Sequence, residues 1–138
     1  IFPIVHIVGV RRTMADAHPG LCRAVYEAFL KARHVAMNRV RAVAEGSANR
    51  TMSPWFADVY EQAVRVMGQD YWPYGVAENR AALDAFCRYA FEQHLTDVTM
   101  VPDALFHSET RALPGTDSPN GQTPGKSPPI ALPWSRAT

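Results

Sequence analysis

His6 lies within the apolar stretch "PIVHIVGV", residues 3–10. An imidazole with an unperturbed pKa of about 6.5 can pass a proton near neutrality, which makes His6 a candidate catalytic acid. From the residues alone it reads first as a core histidine, hydrogen-bonded to backbone, that shares a strand face with Ile4 and Val8. A second concentration of chemistry is "DYWPYG", Asp70 to Gly75. Turns are ordinarily built from Gly, Pro, Asn, Asp and Ser, so three aromatic rings here must pack against the protein's own core, a ligand, or another part of a longer chain. Aromatic faces stack on a ligand ring while a phenol O–H or indole N–H binds its polar edge. Tyr71, Trp72 and Tyr74 are therefore candidate substrate-binding residues, with Pro73 and Gly75 as a structural lock between two helices. Arg11, Arg12 and Arg80 each offer the planar fork suited to a carboxylate, and solvated or helix-end roles compete with that use. Asp70 and Glu78 read as caps or ion-pair partners rather than catalytic carboxylates.

Other chemistries find no motif. The five histidines, at positions 6, 18, 34, 94 and 107, lack the i, i+4 pairing of a helical zinc motif, so no metal ligand is assigned. Cys22 and Cys87 match neither a redox C-x-x-C nor a zinc spacing and are expected to be buried free thiols. There is no glycine-rich phosphate loop and no serine nucleophile elbow. With 14 Lys and Arg against 13 Asp and Glu, the net charge of +1 gives no electrostatic reason to expect nucleic acid or an anionic membrane as partner. No apolar run reaches the roughly 20 residues of a membrane helix.

The elements that must position these residues follow from periodicity. Residues 3–10 are apolar on both alternating faces, the pattern of a strand covered on two sides. No second convincing strand is present to pair with it, and the chain opens "IFPIVHIVGV" without Met, so it reads as a piece of a longer protein. Pro19 is expected in the first turn of a helix of about two dozen residues. Its apolar face would be Leu21, Val25, Ala28, Phe29, Ala32, Val35, Ala36, Val40 and Val43, opposite a wet stripe of Glu27, Lys31, His34, Asn38 and Arg41. A second helix should start with Ser53 as N-cap and Pro54 at its first position, and end at Gly68. A third should open at Asn79, bury Leu83, Phe86, Cys87, Ala90 and Phe91, and stop near His94, with one short helical turn in "VPDALF". Six of the 11 prolines fall from Leu113 onward, and residues 112–138 read as a disordered Pro/Gly/Ser-rich tail.

"FPIVHIVGVRR", the helix opened by "HPGL", "DYWPYG" followed by "ENR", a helix ending "YAFEQ", and "ALF" together resemble the C-terminal part of 4,5-dihydroxyphthalate decarboxylases, over roughly residues 1 to 110. That family is similar to the type II periplasmic binding proteins, with two α/β lobes closing on a ligand. The resemblance implies an α/β fold class. Residues 1–111 would be the C-terminal segment of a two-lobed protein, with one buried strand and three main helices, and the missing N-terminal lobe as partner. Two departures are visible: the family's pattern has Gly where His94 stands, and the proline-rich tail has no counterpart.

The resemblance also implies a reaction, the non-oxidative decarboxylation of a dihydroxylated aromatic diacid, from 4,5-dihydroxyphthalate-like to protocatechuate-like, in aromatic catabolism without a visible cofactor. Direct loss of CO2 would leave an unstabilised ring carbanion, so protonation must come first. His6 would be the acid, Tyr71, Trp72 and Tyr74 the ring wall, and Arg80 a carboxylate partner. The enzyme reading places the protein in the cytoplasm and leaves self-association open. The competing reading is a periplasmic solute-binding protein of an importer with the same fold. On either reading a cleft between two lobes cannot be completed by one piece, so the isolated chain is expected to be inactive.

Overall fold

The computed structural model describes residues 6–46 and 51–115. It is helical: α1 (Arg12–Ala17), α2 (Leu21–Ala44), α3 (Phe56–Met67), α4 (Arg80–Glu92), a 3₁₀ turn (Pro102–Leu105) and the single turn α5 (Ser108–Arg111). Among the described residues there is no strand. The expected α/β architecture with a buried strand is thus corrected. Residues 6–10 run without regular structure, and Ile7 and Val8 are 75% and 60% exposed. A strand is defined by hydrogen bonds to a neighbour, and among the described residues nothing pairs with this segment. Residues 3–5 of the expected strand lie outside the described residues, as do residues 116–138 of the expected tail.

α2 is the axis of the assembly, packed against α1, α3 and α5. Its length is the one that periodicity predicts, but Pro19 precedes the helix rather than entering it. Gly20 is the N-cap in the left-handed region, φ +88°, which only glycine adopts without steric cost. The inward face overlaps the expected apolar stripe only in part. Leu21, Val25, Val40 and Val43 of that stripe are half-buried, and Cys22, Tyr26, Leu30, Arg33, Met37 and Ala44 join them at spacings of three, four or seven. Phe29 and Val35, assigned to the core from the sequence, are 45% and 48% exposed. Polar residues on the inner face rotated the true seam away from the most hydrophobic one. The wet stripe Glu27, Lys31, His34, Asn38 and Arg41 is exposed as expected.

α3 begins at Phe56, two residues beyond the expected Pro54, and turns Phe56, Tyr60, Ala63 and Val64 inward. Gly68 ends it at φ +91°, its N–H donating to the Val64 carbonyl at 2.8 Å. α4 buries Leu83, Cys87 and Ala90 at i, i+4, i+7 and packs on the 3₁₀ turn, while Phe86 and Phe91 remain exposed. Both cysteines are buried free thiols. His94 follows α4 at φ +57°, the left-handed position that the expected glycine would occupy at lower cost. α1 is a helix where the sequence offered only a connection. Among the described residues no helix is long and apolar enough to cross a membrane.

Candidate active-site cavity

Between residues 6–12, the first turns of α2, the aromatic turn, the start of α4 and the 3₁₀–α5 region lies a cavity of about 960 Å³. That is the upper end of the range typical of small-molecule sites. His6, Tyr71, Trp72 and Tyr74 all border it, so residues separated by more than 60 positions in sequence meet on one surface.

The aromatic turn is fixed by residues far from it in sequence. Arg33, whose side chain is only 8% exposed, pairs with the Asp70 carboxylate. Its Nε donates to the Trp72 carbonyl at 2.6 Å, and its guanidinium lies 5.7 Å from the centre of the Tyr74 ring. One cation therefore neutralises an acid, satisfies a backbone carbonyl and meets an aromatic face. Asp70 is an ion-pair partner, as its sequence context suggests.

From the other side Asn79 sits at the N-cap position of α4 without capping it. Its Nδ2 instead donates to the carbonyls of Pro73, at 3.0 Å, and Gly75, at 2.9 Å. Gly75 holds φ +89°, so it serves the lock through its backbone freedom. Tyr71 packs edge-on against Tyr60, with centroids 6.2 Å apart.

Residues 112–115, at the start of the expected tail, close the turn. The Tyr74 N–H donates to the Gly115 carbonyl at 3.2 Å, and the Gly115 N–H donates to Glu78 Oε1 at 2.9 Å. A Cβ at Gly115 would overlap the Tyr74 carbonyl, so the approach requires glycine. Tyr26, on α2, donates its hydroxyl to the Pro114 carbonyl at 3.1 Å and borders the cavity. Burial first, then the nearby Glu78 carboxylate, pushes its pKa up to about 12. Burial likewise raises the Tyr71 phenol. Both remain neutral hydrogen-bond donors at physiological pH.

Arg80 stands apart from this group. It does not line the cavity, and its two terminal nitrogens donate to the two Asp103 carboxylate oxygens at 2.6 and 2.9 Å, joining α4 to the 3₁₀ turn. The pair holds the Asp103 carboxyl below its ordinary range, the Arg80 hydrogen bonds being the largest cause. The guanidinium groups that border the cavity are Arg12, named in sequence, and Arg111, which was not. Arg111 Nε donates to the Phe106 carbonyl at 2.9 Å.

A further cluster escaped sequence reading. Cys22, His107 and Glu109 bring a sulfur, a ring nitrogen and a carboxylate oxygen within 4.8 Å of one another. The His107-Ser108-Glu109 spacing was visible, but Cys22 is 85 positions away and joins it only because α5 packs on α2.

The chain is 38% identical over 107 residues, 78% of its length, to the 4,5-dihydroxyphthalate decarboxylase of Comamonas testosteroni. The two are related proteins, and the chain spans 32% of that relative's length. No protein-family model matches the chain.

Proposed function

We propose that the whole protein to which this chain belongs decarboxylates a dihydroxylated aromatic diacid of the 4,5-dihydroxyphthalate type. The observation that carries the reading is the relationship to a decarboxylase of that name together with a cavity bordered by His6, by the aromatic residues Tyr71, Trp72 and Tyr74, and by the guanidiniums of Arg12 and Arg111. Each supplies a requirement of the chemistry. Arg12 and Arg111 attract and orient the carboxylates of a diacid. Tyr71, Trp72 and Tyr74 form a wall on which the ring stacks, and the neutral phenol of Tyr71 is a donor for its oxygens. His6, as imidazolium, delivers a proton to the ring carbon bearing the departing carboxylate. Electron density for that step comes from the hydroxyl para to it. The C–C bond then breaks, its electron pair restores the aromatic ring, and CO2 leaves. Any proton the hydroxyl gives up is regained as the ring rearomatises, and solvent re-protonates the imidazole, so one proton is consumed for each CO2 released.

Arg80 serves this scheme as a positioning residue, since its bond to Asp103 fixes the start of α4 beside Asn79. The test is CO2 release from 4,5-dihydroxyphthalate by the full-length protein and by its His6→Asn variant. Turnover is expected in the first, with kcat lowered about 10²- to 10⁴-fold in the second and KM little changed. Tight binding of the diacid without CO2 release would overturn the reading, as would an unimpaired variant. The 138-residue chain alone is expected to show no turnover.

A further inference from the structure

We infer that Cys22, His107 and Glu109 form a binding site for a divalent transition metal on the wall of the cavity. The three ligand atoms come from two elements, the first turn of α2 and the loop entering α5, and lie mutually within 4.8 Å. Thiolate, imidazole and carboxylate make up the donor set of zinc and of cobalt or iron substituting for it. Magnesium and calcium, which take oxygen ligands, are disfavoured by the sulfur.

The spacing is close to that of a shared ion. Two zinc bonds of roughly 2.0–2.2 Å at a tetrahedral angle put nitrogen and oxygen about 3.4 Å apart. His107 Nδ1 and Glu109 Oε2 are 4.0 Å apart, so a bound ion would draw the two side chains together.

The Glu109 ligand is also held in place by a group that leaves its second oxygen available. Glu109 Oε1 accepts the Gly20 N–H at 2.7 Å, which anchors the carboxylate and leaves Oε2 with only a long 3.4 Å contact to the Arg23 N–H. The Glu109 N–H donates to His107 Nδ1 at 3.4 Å, a long contact that an ion on Nδ1 would displace. The Gly20 N–H on the other carboxylate oxygen is a bond of the kind that orients a metal ligand.

Cys22 is buried, and both it and His107 border the cavity, so the position left open by three protein ligands faces the space where a substrate would lie. Three ligands with one open position is the arrangement of catalytic rather than structural zinc. Contact of the ion with a substrate oxygen rests on the proposed function; the metal site itself does not.

A competing role for Glu109 is purely structural, as a side chain tying the start of α2 to α5. Titration of the chelator-stripped full-length protein with Co²⁺ separates the two without reference to turnover. Stoichiometric binding with thiolate-to-cobalt charge-transfer absorption is expected. Cys22→Ser should lose that absorption, and Cys87→Ser should keep it. Glu109→Gln retains an oxygen for the Gly20 N–H but is a poor ligand, so its affinity should fall by more than about tenfold while its circular dichroism is unchanged. Absence of the charge-transfer band in the folded wild type, its survival in Cys22→Ser, or unweakened binding by Glu109→Gln would each overturn the site.

Discussion

The aromatic turn and the opening apolar segment border the same cavity, yet they are held in opposite ways. Residues 70–75 are gripped by Arg33 from α2, Asn79 from α4 and Gly115 from the far end of the described chain. Residues 6–10 have, among the described residues, no backbone hydrogen bond to any neighbour. Both segments are rich in large apolar side chains, so hydrophobicity does not distinguish them. What differs is where their partners are encoded. The turn finds a cation, an amide and a close-approaching glycine within this chain. The opening segment, carrying His6, has its apolar faces turned outward, and the chain covers only about a third of its decarboxylase relative.

The largest test of this contrast is Arg33→Ala. Removing one partner of a largely buried pair leaves Asp70 uncompensated, which typically costs about 3–5 kcal/mol, and the Trp72 carbonyl also loses its donor. Urea denaturation followed by tryptophan fluorescence should show a loss of that size. A change under about 1 kcal/mol would mean that the turn stands without its cation. Asn79→Ala is a smaller perturbation, because it deletes two hydrogen bonds worth about 0.5–1.5 kcal/mol each. A destabilisation of about 1–3 kcal/mol is expected from the same measurement, and the circular dichroism of α4 should survive, since Asn79 does not cap the helix.

Ile7→Ser, at the other pole, should alter the stability of this chain by no more than about 0.5 kcal/mol, as surface substitutions do. In the full-length protein the same change is expected to cost about 1.5–3 kcal/mol, the value of a buried aliphatic side chain. Equal effects in the two contexts would show that nothing upstream covers the segment.

These contrasts also explain what could be read from the sequence. Signals that act locally were legible. Gly68 closes α3, α4 stops two residues before His94, the Pro102 turn forms, and the aromatic hexapeptide is packed rather than left as a solvent-facing loop. Signals that depend on a distant partner were not. The seam of α2 could be read from hydrophobicity only in part: Leu21, Val25, Val40 and Val43 lie on it, but Arg33 and Cys22 also face inward, toward Asp70 and α5, while Phe29 and Val35 stay open. The alternation of β-branched residues at 3–10 reads as a buried strand, and the described part, residues 6–10, is not one, because pairing is a property of two segments and cannot be read from one. Of the candidate site, His6, Tyr71, Trp72 and Tyr74 border one cavity, whereas Arg80 was singled out by residue type and its nearer carboxylate, Asp103, went unnoticed.

The bond from the Gly115 N–H to Glu78 has a practical bearing on where this polypeptide can be cut. A stop codon placed directly after Gly115 would deposit a terminal carboxylate close to the Glu78 side chain. Two negative charges would then face each other at the edge of the aromatic lock. Shortened versions intended for crystallisation should therefore retain at least a residue or two past this glycine, so that the newly made terminus lies farther from that acid.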